Sequence, residues 1–130
     1  MTYVPKQAAD LARAFEGLRL VPYLDVAGHK TVGWGHLLSR DRSKNILDWP
    51  PITAEEAEAL LAEDLGKAAR SVKRLCPVPL TDGQFAALID FTFNLGAGSL
   101  QASTLRRMVN RGEHDGAAEQ FGRWVYAGGV

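Results

Sequence analysis

The chain has one cysteine, Cys76, in 130 residues. One thiol can form neither an internal disulfide framework nor a cysteine metal cluster, and Cys76 reads as a partly buried free thiol. Charge of one sign is also missing. Fifteen Lys and Arg balance fifteen Asp and Glu, so no global field draws the protein to nucleic acid or to an anionic membrane. No run approaches the roughly 18 apolar residues of a membrane-spanning helix, and no stable membrane association is expected. The opening residues MTYVPKQAADLARAF lack the apolar region of a usual signal peptide. Synthesis and residence in the cytosol are therefore expected, with any work outside depending on a separate route of release. There is no internal repeat, low-complexity tract, phosphate loop, His-rich metal spacing or Gly-x-Ser-x-Gly elbow.

What is present is an ordinary globular balance, 46% apolar and 23% charged residues, in a chain long enough to bury a core as one domain. Ala8, Leu11, Ala12, Phe15 and Leu18 fall at three- and four-residue steps, which predicts a short helix over 4–15 with Pro5 in its first turn and Gly17 beyond its end. From Leu18 to Leu38 the pattern changes. Pro22, Ala27-Gly28, Gly33 and Gly35 interrupt short runs rich in Leu, Val, Tyr, Thr and Trp, the signature of a small antiparallel sheet turning near Ala27-Gly28. Residues 40–51 read as loop.

Thr53 and Glu56 form a capping box opening a long helix, with Ala57, Leu60, Leu61, Leu65, Ala68, Val72 and Leu75 as its apolar stripe before Pro77. Thr81 and Gln84 form a second box. The helix it opens, FAALIDFTFNLG, is apolar nearly all round and should be the centre of a second core, ending at Gly96. Shorter helices are expected over 103–110 and 116–126. The fold class is therefore α+β and mostly helical. A small N-terminal sheet lobe and a helical C-terminal lobe are joined by a long helix, and a cleft between lobes is a common place for a ligand.

The stretch FEGLRLVPYLDVAGHKTVGWGH, residues 15–36, carries candidate chemistry. Glycoside hydrolysis generally uses two acids across the scissile bond, one protonated and one ionised. Glu16, at the end of an apolar helix, is suited to stay protonated. Its helix-terminal position also disfavours an anion. Asp25 beside the turn should be wetter and ionised, and Thr31 follows across the hairpin, where its hydroxyl could hold a water. These types at this spacing are equally compatible with an Asx-turn aspartate, a β-forming threonine and a structural His36.

The order Glu16, eight residues, Asp25, five residues, Thr31 resembles the signature of the phage-type lysozymes, glycoside hydrolase family 24. The flanks EGLRLVPYLD and TVGWGHLL, and the later segments ITAEEAEALLAEDL, ALIDFTFNLGAGSLQASTLRRMVNRGE and AAEQFGRWVYAGG, resemble that family in the same order along nearly the whole chain. The resemblance implies one lysozyme-like domain over 1–130. Its sheet lobe would cover about 16–52, its interlobe helix 53–75, and its helical lobe 1–15 with 77–130.

It implies a muramidase, or endolysin, that cleaves the β-1,4 bond between N-acetylmuramic acid and N-acetylglucosamine in bacterial peptidoglycan. No metal or cofactor is implied. Glu16 would be the general acid, with Asp25 and Thr31 positioning the attacking water in an inverting reaction. Asp25 as a nucleophile would instead give retention. Carboxyl groups about 6.5–9.5 Å apart accompany inversion and about 5–5.5 Å retention. Leu37, Phe93 and Ser103 match positions lining the saccharide cleft, although core packing accounts equally well for Leu37 and Phe93. His36 and Asp64 match a stabilising ion pair.

The resemblance further implies a monomer that waits in the host cytoplasm until a separate membrane-permeabilising protein releases it to the wall. Relatives continue past Trp-x-x-Ala-Gly-Gly with an arginine-rich helical segment that supplies an arginine near the glutamate, a segment not contained in these residues. Two rival readings are a non-catalytic or weakened wall-binding module and a lytic transglycosylase. Glu16, Asp25 and Thr31 together argue against the first, since a binder needs no such set, and Asp25 and Thr31, which serve a hydrolytic water, speak against the second.

Overall fold

The computed structural model describes residues 2–117. These form two compact units. One spans Ala12–Asp64, and the other comprises the described residues up to Leu11 and from Leu65 onward. The divisions fall inside two helices, α1 (Lys6–Phe15) and α2 (Ala54–Leu75).

Helix α1 starts two residues later than the periodicity predicts. Pro5 lies just outside it, buried, and its carbonyl accepts the Ala8 N–H at 3.0 Å, so the ring fixes the entry rather than the first turn. Ala8 and Ala12 are fully buried. The apolar stripe does not stay buried to its end: Phe15 and Leu18 are each 40% exposed.

The Ala12–Asp64 unit holds β1 (Arg19–Leu24), β2 (Lys30–Gly33) and β3 (His36–Ser39), an antiparallel meander in the order β1-β2-β3. Tyr23 pairs with Thr31 and Leu24 with Lys30, while Thr31 also faces Leu37 and Val32 faces His36. The β1–β2 register is irregular between Arg19 and Tyr23. Pro22 lies there, and it has no N–H for the ladder, which an edge strand tolerates. Central β2 is buried at all four positions.

The stretch read as loop contains one 3-10 turn, Ile46–Asp48, because the Asn45 side chain accepts the Leu47 N–H at 2.9 Å and nucleates it. The chain then returns to β1, where the Ile52 N–H donates to the Leu20 carbonyl at 2.9 Å. The first capping box forms as expected, with Thr53 N–H to Glu56 Oε1 at 3.0 Å and Glu56 N–H to Thr53 Oγ1 at 3.1 Å. Ala57 and Leu61 on the first turns of α2 are buried with Val32 of β2 as this unit's core.

In the other unit, Leu65, Ala68, Val72 and Leu75 of α2 are buried with Phe85, Leu88, Ile89 and Phe91 of α3 (Asp82–Leu95). The Thr81–Gln84 box is complete, and Gly96 at φ 89° ends α3. Helix α4 (Ala97–Gln101) was not expected: AGSLQ is too short and glycine-rich to show a period, and fully buried Leu100 holds it. Helix α5 (Thr104–Asn110) matches the expectation for 103–110. The helix expected over 116–126 lies, beyond Ala117, outside the described residues. Burial pushes the free Cys76 thiol up from its ordinary value. Among the described residues no helix is long and apolar enough to cross a membrane.

The C-terminal end of α2 is tied by α5. Arg106 Nε and Asn110 Nδ2 both donate to the Leu75 carbonyl at 2.9 Å, satisfying an acceptor that a helix end otherwise leaves orphaned. Asn110→Ala removes one donor, and it should lower unfolding stability by about 1 kcal/mol in urea titration.

Candidate active site

Glu16 is the first residue after α1, where its N–H still donates to the Ala12 carbonyl at 2.9 Å. The turn between β2 and β3 runs against its carboxylate. A Cβ built on Gly35, which has φ +75°, would lie 2.9 Å from Glu16 Oε2. Only a glycine backbone can come this close, in a conformation that also favours glycine. Burial pushes the Glu16 carboxyl above its ordinary range. Desolvation of the charged form is the physical cause.

Asp25 closes the β1–β2 turn. Its Oδ1 accepts the N–H groups of Ala27 at 2.9 Å and His29 at 2.8 Å, while its own N–H donates to the His29 carbonyl and its carbonyl accepts from Gly28, both at 2.9 Å. The Asx-turn reading is thus correct as far as it goes. The other oxygen, Oδ2, lies 3.7 Å from His29 Nδ1, so the turn leaves most of its acceptor capacity unused. Thr31 is 4% exposed and its hydroxyl donates to the His29 carbonyl at 2.9 Å. With that proton committed, the Thr31 oxygen can only accept further bonds.

One residue around this group was not singled out from the sequence. Tyr23, opposite Thr31 in the ladder, has its phenol pushed up by burial and then by the negative charge of Glu16, with Asp25 adding and Arg19 opposing. Arg19 lies over the Tyr23 ring at 4.4 Å. A phenol so placed stays neutral and can donate. Its only sequence signal was the strand register. Gly35 had a signal, the Gly-x-Gly run, but no partner could be read from it.

The same unit fixes the frame around Glu16. Arg13 donates from Nε to Glu58 Oε1 at 3.1 Å and from Nη2 to Oε2 at 2.6 Å, a two-point link from α1 to α2. The Arg13 hydrogen bond is the main reason the Glu58 carboxyl lies below its ordinary range. His36 Nδ1 lies 2.8 Å from Asp64 Oδ2, both side chains being about four-fifths buried. Replacing Asp64 with Asn keeps the shape and removes the charge, and should cost roughly 1–3 kcal/mol of stability, measured by denaturant unfolding.

Leu37, on β3, is 38% exposed. Phe93, on α3, is partly buried. Ser103 is 8% exposed, and its hydroxyl is occupied as the cap of α5, donating to the Leu100 carbonyl at 2.7 Å and accepting the Arg106 N–H at 3.0 Å. Among the described residues no three His, Cys, Asp or Glu side chains gather in a way that could hold a metal ion.

The sequence pattern of the family described as phage lysozyme matches residues 13–130. The chain belongs to the phage lysozyme family. A SAR-endolysin of Bacteriophage PS119 is 40% identical over 114 residues, covering 88% of this chain and 65% of its own length. An endolysin of Acyrthosiphon pisum secondary endosymbiont phage 1 is 35% identical, over 96% of this chain and 82% of its own. Among solved structures, the muramidase domain of SpmX from Asticaccaulis excentricus is 33% identical and superposes with a TM-score of 0.80, over 95% of this chain and 80% of that one. The phage lysozyme fold, mostly helical with a three-stranded antiparallel sheet, is the one expected from the sequence. Against several of the SAR-endolysins, this chain spans slightly less than two thirds of the relative's length.

Proposed function

We propose that the protein is a muramidase that hydrolyses the β-1,4 bond between N-acetylmuramic acid and N-acetylglucosamine in peptidoglycan. In this reading Glu16 gives its proton to the leaving glycosidic oxygen. A water, donating to Asp25 and to the Thr31 oxygen, attacks the anomeric carbon from the other side and loses its proton to Asp25. The configuration inverts. Leu37, Phe93 and Ser103 are proposed saccharide contacts, Ser103 through the lone pair its capping bonds leave. The His36–Asp64 pair is proposed to hold β3 on α2.

The observation that carries the reading is the Glu16 carboxyl, pushed up by burial against the Gly35 backbone in a member of a lysozyme family. A carboxyl group whose burial favours the protonated form is useful to an acid catalyst. A wall-binding module has no need of it. The chemistry calls for neither metal nor cofactor.

Proton NMR of a short chitin-type or muropeptide substrate, followed from the first minutes, tests the roles. The new reducing end should appear first as the α-anomer, and Asp25→Asn should slow its appearance by about 10²–10⁴-fold. A β-anomer appearing first would make Asp25 the nucleophile.

The cell wall is the proposed place of action. Waiting in the host cytoplasm for a separate membrane-permeabilising protein, and acting as a monomer without nucleic acid, complete the proposal. Fractionation of expressing cells, before and after permeabilisation, reads out the first part.

A further inference from the structure

The far side of the β1–β2 hairpin carries a cavity of about 330 Å³ lined by Leu24, Gly28, Lys30, Arg42, Lys44, Asn45 and Ile46, within the range of small-ligand sites. Three of these residues are cations. Lys30 is only 5% exposed, and among the described residues its ammonium makes one hydrogen bond, to the Asp41 carbonyl at 2.8 Å. An ammonium has three N–H donors, and a buried one is costly without acceptors. Arg42 and Lys44 make no ion pair among the described residues. The nearby Asp41 carboxylate is turned to its own loop, where one oxygen accepts both the Ser43 N–H at 2.9 Å and the Ser43 hydroxyl at 2.7 Å. Three cationic side chains thus line the cavity beside an apolar flank, Leu24 and Ile46, with the Asp41 charge attracting Lys44 and Lys30.

We propose that this pocket binds a carboxylate of the short peptide that peptidoglycan carries on its muramic acid. The inference rests on the muramidase reading. Its geometry comes from the ladder: Leu24–Lys30 is the pair next to Tyr23–Thr31, and neighbouring pairs point to opposite faces. A sugar held at Thr31 cannot itself reach the other face. A flexible peptide reaches further, four extended residues spanning about 13–14 Å. Such peptides combine free carboxylates with short aliphatic groups, which matches cations beside Leu24 and Ile46.

The test uses the full chain and two probes, the free tetrapeptide L-alanyl-γ-D-glutamyl-diaminopimelyl-D-alanine and its fully amidated form. Amide NMR titration should show the acid peptide shifting residues 42–46, more weakly as salt rises. The amidated peptide, and the Arg42→Ala/Lys44→Ala double variant with the acid peptide, should each bind about tenfold more weakly or worse. On glycan, the double variant should lower the ratio of kcat/KM for peptide-bearing over peptide-stripped chains by about tenfold. Equal binding of acid and amide, displacement by inorganic phosphate at equal concentration, or an unchanged ratio would overturn the proposal. The titration needs no catalysis, so a chain that binds the peptide yet clears no wall sinks the muramidase reading alone.

Discussion

Glu16→Gln lowers turnover of purified peptidoglycan by about 10²–10⁴-fold, the contribution of a positioned proton donor, and at the same time raises the melting temperature at neutral pH. The two effects have one cause. Burial raises the Glu16 carboxyl pKa in the folded chain, so the folded state disfavours the ionised form. Stability is complete below the ordinary glutamate range, around pH 4, and is lost as pH rises through the raised folded value. Glutamine has no ionised form and avoids that loss. The side chain is only about half buried, so solvent screening keeps the gain small. In the wild type, activity should fall on the alkaline side as Glu16 loses its proton. A calorimetric comparison at pH 4 and pH 7 checks the stability half: the variant and wild type converge at the lower pH and separate at the higher.

Gly35→Ala should be nearly as damaging to activity while leaving every acid in place. The new methyl group would start 2.9 Å from Glu16 Oε2 on a backbone at φ +75°. The left-handed conformation costs an alanine about 1–2 kcal/mol, and the carboxylate must move to clear the contact. A misplacement of about 1 Å at a reacting group costs about 10²-fold in rate, so kcat should fall by about that factor with KM little changed. Gly112→Ala is the control. Gly112 has φ +77° with nothing within 4 Å, so it carries the same backbone penalty without the push on Glu16. A kcat for Gly35→Ala equal to that of Gly112→Ala would remove the Glu16–Gly35 contact from the account.

The fold was legible wherever local chemistry decides structure. Both capping boxes, the stripe of α2, the all-round apolar α3 and the glycine stop at Gly96 depend on neighbours within a few residues, and all are in place. Helix α4 was not legible, because a five-residue helix held by one buried leucine has no period to detect. The burial of Ala8 and Ala12 followed from spacing, but the exposure of Phe15 and Leu18 did not, since periodicity marks a face and does not say where its cover ends.

At the site, the residue types were readable and their surroundings were not. Asp25 could be assigned to a turn from Ala27-Gly28 alone. That the Gly35 backbone would lie against the Glu16 carboxylate depends on a contact across nineteen sequence positions, between a helix end and a strand turn. Tyr23 escaped notice for a similar reason, since its place opposite Thr31 follows from the register that Pro22 interrupts. The Arg13–Glu58 link and the basic pocket under Lys30 also join segments distant in sequence.

The most direct measurement is the chemistry of the ends released from purified peptidoglycan, by borohydride reduction and mass spectrometry, for wild type beside Glu16→Gln. The account predicts new muramic acid reducing ends with the wild type and almost none with the variant. Anhydro-muramic products, clearing without new reducing ends, or equal release by Glu16→Gln would contradict it.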